Sequence, residues 1–300
     1  MKTDTRSFYE LAVRKAVAHI EDHLDEALDL GALARLAALS PFHFHRVFSG
    51  MVGETPLEMH RRLRMERAAL RLVSTETGVT EIAFEAGYDT HEAFTRAFRA
   101  AWGEPPSSFR RSSAEQARPL LLASRAQVHF RASGDRNEVV IEQGGTIMEV
   151  IIKDMQPMRL AAVHHKGPYT KIGEAFGKLG MIAQQSGLME KCNLMVAVYH
   201  DDPESTPVED LKSDAALSIP EGVALPKELA ELHIPAGRYA CATHKGPYSG
   251  LPDAWSRLMG SWLPKSGERV GKGESFEIYR NTPMDSKPED LLTELYVSLA

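Results

Sequence analysis

Cysteine is scarce in this chain: 300 residues hold two, Cys192 and Cys241, at no metal-ligand spacing. That excludes a disulfide scaffold, and two isolated thiols suit a reducing cytosol. No run of about 18 apolar residues occurs, so neither a membrane span nor a membrane partner is expected. The N-terminus, MKTDTRSFYELAVRKAV, is charged throughout and lacks an apolar signal core, so no secretory leader is expected. A Ser-His-Asp arrangement, a phosphate loop and a zinc spacing are also missing. The leading expectation is therefore a cytoplasmic protein with no catalytic residues, no metal and no cofactor. A basic excess is missing too: the formal net charge is −6, which argues against a general nucleic-acid coat. What is present is 43% hydrophobic and 25% charged residues, an ordinary globular balance for a chain of about two domains.

The charge is uneven in kind. Residues 1–118 hold 16 Lys and Arg against 17 Asp and Glu, and 14 of those 16 are arginine. Arg61, Arg62, Arg64, Arg67 and Arg71 fall within eleven positions. Arginine offers planar, forked donors that suit phosphates and guanine edges, although a solvated helix face gives the same pattern.

Two internal repeats organise the chain. The first pairs SPFHFHRVF (40–48) with THEAFTRAF (90–98), and Gly53 and Pro56 recur at the same offset of 50 as Gly103 and Pro106. Ala34, Ala37 and Ala38 match Ala83, Ala86 and Gly87 at an offset of 49. Each copy reads as helix, tight turn, helix. In the first, Leu30–Ala37 is helical, Ser40 caps the next helix and Pro41 opens it. Phe44, Val47, Phe48 and Met51 then form one buried stripe, repeated as Phe94, Ala97, Phe98 and Ala101. A helix over Leu57–Val73 joins the copies, with Met65, Ala69 and Leu72 toward the core.

The second repeat is HKGPY, at His165–Tyr169 and His244–Tyr248, an offset of 79. Strands are expected before each copy (Met158–His165, Gly237–His244) and helices after (Ile172–Gly187, Leu251–Leu263). Further strands follow at Leu194–His200 and Ala215–Ile219, and at Phe276–Arg280 and Leu295–Leu299. The unit is β-α-β-β, used twice, with one more strand near Glu149–Lys153. HKGPY reads as architectural, Gly-Pro fixing the turn and Tyr packing beneath it. His165 and His244 have no local partners for a metal. The expected fold is multidomain: an all-α dual helix-turn-helix domain (1–112), a linker (113–147) with a short β element near Val128–Phe130, and an α+β domain of two pseudo-symmetric β-α-β-β repeats (148–300).

Two helix-turn-helix units on one rigid connecting helix can place two reading helices about one DNA turn, roughly 34 Å, apart. The positions expected to be exposed are Phe42, His43, His45, Arg46 and Ser49 on the first reading helix, and His91, Glu92, Thr95, Arg96 and Arg99 on the second. Arg46 and Arg96 are equivalent and could fork onto guanine; Phe42 could pack on a thymine methyl, and Glu92 could accept from cytosine.

These residues resemble the AraC family of bacterial transcription regulators. The resemblance rests on LARLAALSPFHFHRVFSGMVGETP (33–56), RRLRMERAALRLV (61–73) and VTEIAFEAGYDTHEAFTRAFRAAWGEPPSSFR (79–110). It implies promoter double-stranded DNA as partner, RNA polymerase as a candidate partner, and phosphate contacts for Arg110 and Arg111. Several relatives carry tryptophan and glutamine where this chain has Phe42 and His45, so the preferred base sequence does not carry over.

Residues 148–300, with the doubled GPY and a terminal E-L-Y, resemble the GyrI-like effector-binding domain. The resemblance implies a cleft between two β-α-β-β halves that senses a small, lipophilic, often cationic effector. A buried carboxylate with aromatic walls suits such a cation. Glu294 matches the acidic residue of the family's final strand and is the first choice for the cation partner, followed by Trp255, Tyr279 and Glu277. Two alternatives accompany this reading. Some GyrI-like proteins hydrolyse strained electrophilic natural products, for which Glu294 would need a raised pKa as acid–base; others act by binding a protein partner.

Overall fold

The computed structural model describes residues 2–115, 120–133, 135, 137, 139–141, 148–201 and 206–300. Seven helices come first: α1 (Lys2–Asp22), α2 (Leu30–Leu36), α3 (Pro41–Val52), α4 (Pro56–Ser74), α5 (Val79–Glu85), α6 (His91–Trp102) and α7 (Pro106–Glu115). An α+β region follows, and its elements are given below. None of the described helices is long and apolar enough to cross a membrane.

Local chemistry sets the helix starts. Asp29 caps α2 by accepting from the Ala32 N–H, Thr90 caps α6 by accepting from Ala93 N–H, and Thr55 and Glu58 close a reciprocal capping box on α4. The stripes form as expected at Phe44, Val47, Phe48 and Met51 and at Phe94 and Phe98, all buried. Ala101 is exposed, and Trp102 takes its place by packing against Phe98 and Phe109. The turns after α2 and α5 are both left-handed, at Ala38 (φ 56°) and at Gly87 (φ 80°).

By its contacts the chain forms two compact units. One comprises residues 10–38 and 51–143, the other residues 1–9, 39–50 and 144–300. In the first, the arginine run is largely consumed inside the protein. Arg62 donates to Glu54 at 2.6 and 2.9 Å, to Glu66 at 3.2 Å and to the Val128 carbonyl at 2.8 Å. Arg67 pairs with Asp25 at 2.7 Å and Arg71 with Glu85 at 3.0 Å. The described part of the expected linker has no strand at Val128–Phe130. Its N–H groups are claimed by a side chain instead: Leu122 and Phe130 donate to the buried Glu66 carboxylate at 2.9 and 2.8 Å, and Ala126 and Val128 are fully buried. The rest of that stretch lies outside the described residues.

In the second unit, the described strands from Val150 onward build one antiparallel sheet. Its strands are β1 (Val150–Met155), β2 (Met158–Lys166), β3 (Met195–Tyr199), β4 (Lys212–Ser218), β5 (Ala230–Ile234), β6 (Gly237–Lys245), β7 (Phe276–Tyr279) and β8 (Leu292–Ser298). The order is β1-β6-β8-β7-β3-β4-β2-β5. Both expected repeats are there, as β2-α8-β3-β4 with α8 at Ile172–Gln185, and as β6-α9-β7-β8 with α9 at Leu251–Ser256. β5 was not foreseen. It pairs with β2 while β1 pairs with β6, so each half is edged by the strand that precedes the other half's core. The two halves meet where β3 pairs β7, with Ala197 opposite Glu277.

Strand parity then sorts the side chains. Glu277 lies opposite Leu295, whereas Ile278 lies opposite Glu294. Since successive residues point to opposite faces, Glu277 and Glu294 occupy different sides of the sheet. The Glu277 side carries Ala197, Tyr199, Leu217 and Tyr279 against Ile172, Ala175 and Leu179 of α8; the other carries Val196, Val198, Tyr239, Ile278 and Tyr296. The helix expected over Leu251–Leu263 is interrupted by a π-helical turn at Arg257–Trp262 before a last turn, α10 (Leu263–Ser266). Pro264 has no N–H to give to the Gly260 carbonyl four residues earlier, and the ladder widens there.

An alanine in the left-handed region carries a penalty of about 1 kcal/mol that glycine does not. Ala38→Gly should therefore raise unfolding free energy by about 0.5–1 kcal/mol in guanidinium melts. Gly87→Ala, which also sets a Cβ against the Arg64 guanidinium, should lower it by more than that. A neutral or destabilising Ala38→Gly would contradict this account of the turn.

Candidate functional site

Glu277 is 2% exposed, at the junction of the two repeats. Its carboxylate receives three hydrogen bonds: from Trp255 Nε1 at 2.7 Å, Tyr279 OH at 2.8 Å and Tyr199 OH at 3.0 Å. All three donors are neutral. The two tyrosines are repeat mates, each at the end of the middle strand of its half, and their hydroxyls lie 3.3 Å apart. Burial, and then the Glu277 charge, pushes both phenols well above their ordinary value, so they stay protonated and donating. The HKGPY tyrosines complete the wall: Tyr169 packs edge-on against Tyr199 and Tyr248 against Tyr279, at 4.9 and 5.3 Å between centroids. Phe176 of α8 meets Tyr279 at 5.6 Å. An anion held by neutral dipoles inside an aromatic wall is an incomplete electrostatic arrangement, and a desolvated cation completes it.

Of the residues expected at the ligand site, the fold brings Trp255, Tyr279 and Glu277 together and leaves Glu294 apart. Glu294 faces the other side of the sheet, where Arg280 donates to it at 2.7 Å, Tyr296 OH at 2.7 Å, and Lys153 stands at 3.6 Å. Burial opposes its ionisation, yet these bonds and charges hold it below the ordinary carboxylate value. That is the reverse of the raised pKa an acid–base would need. Tyr199 is not among the residues expected from the sequence; its offset of 80 from Tyr279 is the signal that marks it.

The reading helices differ sharply. On α6, His91, Glu92 and Arg96 are exposed and Thr95 is half-buried, as expected for a helix open to DNA. On α3, Phe42 and His43, expected to be exposed, are buried at 7% and 8% exposure, and His45 and Arg46 are half-buried. The reason is that residues 39–50 pack with residues 144–300 in one unit. Phe42 enters the apolar cluster of Ile172, Leu179 and Tyr199 and meets Trp255 edge-on at 6.2 Å. The Arg46 guanidinium stands 4.5 Å from the Trp255 ring centre and 4.4 Å from that of Phe42. His43 is bonded on both ring nitrogens, to Ser40 Oγ at 2.9 Å and Ser275 Oγ at 3.0 Å. Burial, and then the Arg46 charge, pushes it down to about 4. Arg110, expected near phosphates, donates to the Leu72 and Thr77 carbonyls at 2.9 and 2.5 Å, while Arg111 is exposed.

Comparison with known proteins finds matches to both regions. Residues 148–300 match the model of the GyrI-like small molecule binding domain, and residues 33–112 match a helix-turn-helix domain. The transcriptional regulator Rob of Salmonella typhimurium is 22% identical over 96% of this chain and 97% of its own length. A DNA gyrase inhibitor of Yersinia enterocolitica is 32% identical over 43% of this chain and 85% of its own. An HTH-type transcriptional regulator of Bacillus subtilis, YbfP, is 35% identical over 34% of this chain; the chain spans 35% of that protein's length.

A histidine held neutral in a buried position penalises acid. His43 titrates near 6.5 when free and near 4 when docked, so α3 packs most firmly above about pH 6.5 and loosens as pH falls toward 4. Hydrogen exchange of residues 41–50, corrected for intrinsic rates, should rise by up to about tenfold per pH unit across that window. His43→Gln should flatten the dependence. Exchange that ignores pH in the native chain would contradict the assignment.

Proposed function

The chain belongs to the GyrI-like small-molecule-binding family, and we propose that its caged Glu277 site binds a lipophilic cation whose presence governs promoter recognition by the AraC-type helices. The chain is a DNA-binding transcription regulator with an effector domain. One observation carries the ligand class: a 2%-exposed carboxylate with three neutral donors and no built-in ion pair among them, walled by Trp255, Tyr199, Tyr279 and Tyr248. A delocalised cation gains from the buried charge and from the ring faces, each contact contributing about 0.5–2 kcal/mol when desolvated. A neutral ligand gains only the second term. Glu294, already neutralised by Arg280 and Lys153, serves the sheet.

On the DNA side, Arg96 reads a base edge from the exposed face of α6, with His91, Glu92 and Thr95 beside it and Arg111 at phosphate. Arg110 acts by fixing the end of α4. Phe42, His43, His45 and Arg46 have the same task on α3 when that helix is available. Cytoplasmic residence and contact with RNA polymerase accompany a promoter-bound role.

Two outcomes test this reading. Glu277→Gln should weaken tetraphenylphosphonium at least about tenfold and leave the neutral triphenylphosphine oxide unchanged, whereas Glu294→Gln should leave both unchanged; equal losses for both probes would remove charge recognition from the site. On a duplex selected from a random library, Arg96→Ala should cost about 1–3 kcal/mol and relax one base position. A uniform loss across all sequences would mean that Arg96 touches phosphate alone.

A further inference from the structure

The two reading helices are copies, yet one is docked and the other is open. Resting on the cation-site reading above, we propose that α3 is the site's own occupant: Phe42 and Arg46 stand where a lipophilic cation would, so effector and docked helix exclude one another, and the effector frees α3 for DNA. An aromatic ring stacked with a delocalised guanidinium has the chemistry of such a cation, and both partners are seated on Trp255, the indole that donates to Glu277. The Arg46 charge acts on the Tyr199 hydroxyl of the same cage.

The sequence of α3 departs from that of α6 at the docking positions. Phe42 stands where α6 has Glu92, His43 where it has Ala93, and Gly50 where it has Ala100. Arg46 and Arg96, suited to base reading, are the same. Phe42 fills the apolar cluster, His43 bonds Ser275, and Gly50 meets Gly260 of the π-helical turn so closely that a Cβ on either would overlap the other's backbone. Ala100, at the open helix, is exposed and needs no such allowance. Two glycines in parts of the chain 210 residues apart thus serve one contact. A helix whose first-turn residues Phe42 and His43 are buried cannot offer them to a base edge, so the docked form reads DNA through α6 alone.

The energetics are those of a linked equilibrium. A ligand that binds only the undocked form shifts the population toward it, and its apparent affinity falls by the undocked fraction. Loosening α3 without touching the cage therefore tightens the ligand.

The test uses the full chain, tetraphenylphosphonium and hydrogen exchange read at β7 and at residues 41–50 together. The expected result is protection at β7 with faster exchange in α3 in the same sample. Gly260→Ala and Gly50→Ala, placed on opposite sides of the contact, should each speed α3 exchange without ligand and tighten tetraphenylphosphonium by about tenfold or more. Ser275→Ala serves as a milder third variant should either glycine replacement fail to fold. Protection at β7 with α3 equally or more protected would overturn the exclusion and leave the cation site standing. Absence of binding in the wild type and in every variant would sink the cation site, and this inference with it.

Discussion

A carboxylate buried where two halves of a repeat meet is the constraint on which the second unit turns. Glu277 faces Ala197, its repeat mate, so the pseudo-symmetric sheet carries one charge where symmetry would supply two or none. Burying that charge is costly unless its lone pairs are filled. Tyr199, Tyr279 and Trp255 fill them, and each is positioned by the repeat itself: the tyrosines end β3 and β7, and the indole comes from the helix after the second HKGPY. Hydrogen bonds from neutral groups satisfy the oxygens but leave the net charge in place. A site so built favours whatever brings a positive charge without a hydration shell.

Arg46 is one such charge, and the protein supplies it from its own reading helix. Under the proposed exclusion, this contact would join recognition of DNA and of a small molecule through one side chain, with no pathway of intermediate residues needed. The pieces that seat α3 include the Arg46 guanidinium over two rings, the buried Phe42 ring, a neutral histidine and a glycine pair.

Much of this was readable in the residues. The offsets of 50 and 79 located both helix pairs and both β-α-β-β units, and most element ends fall within two or three residues of expectation. β5 escaped because, at an offset of 80, AELHI shares no residue with its mate in β1. Strand parity sets Glu294 and Glu277 on opposite sides of the sheet. β8 is covered on both faces, so alternation along LTELYVS marks no outer side, and only the pairing of Ile278 with Glu294 shows that this carboxylate faces away from Trp255. The arginine run of α4 looked like a phosphate face, but Arg62, Arg67 and Arg71 hold their own unit together; charge counts do not distinguish a solvated cation from a paired one. The burial of Phe42 left a trace that helical stripes alone do not capture: an aromatic and a glycine lying off the stripe of one copy, with no counterpart in the other.

The most direct measurement is a crystal structure of the full chain grown with tetraphenylphosphonium. The account predicts the phosphonium seated on the Trp255 ring beside the Glu277 cage, with Phe42 and Arg46 withdrawn from it. A cation bound elsewhere, or one bound at the cage with Arg46 still stacked on Trp255, would contradict it.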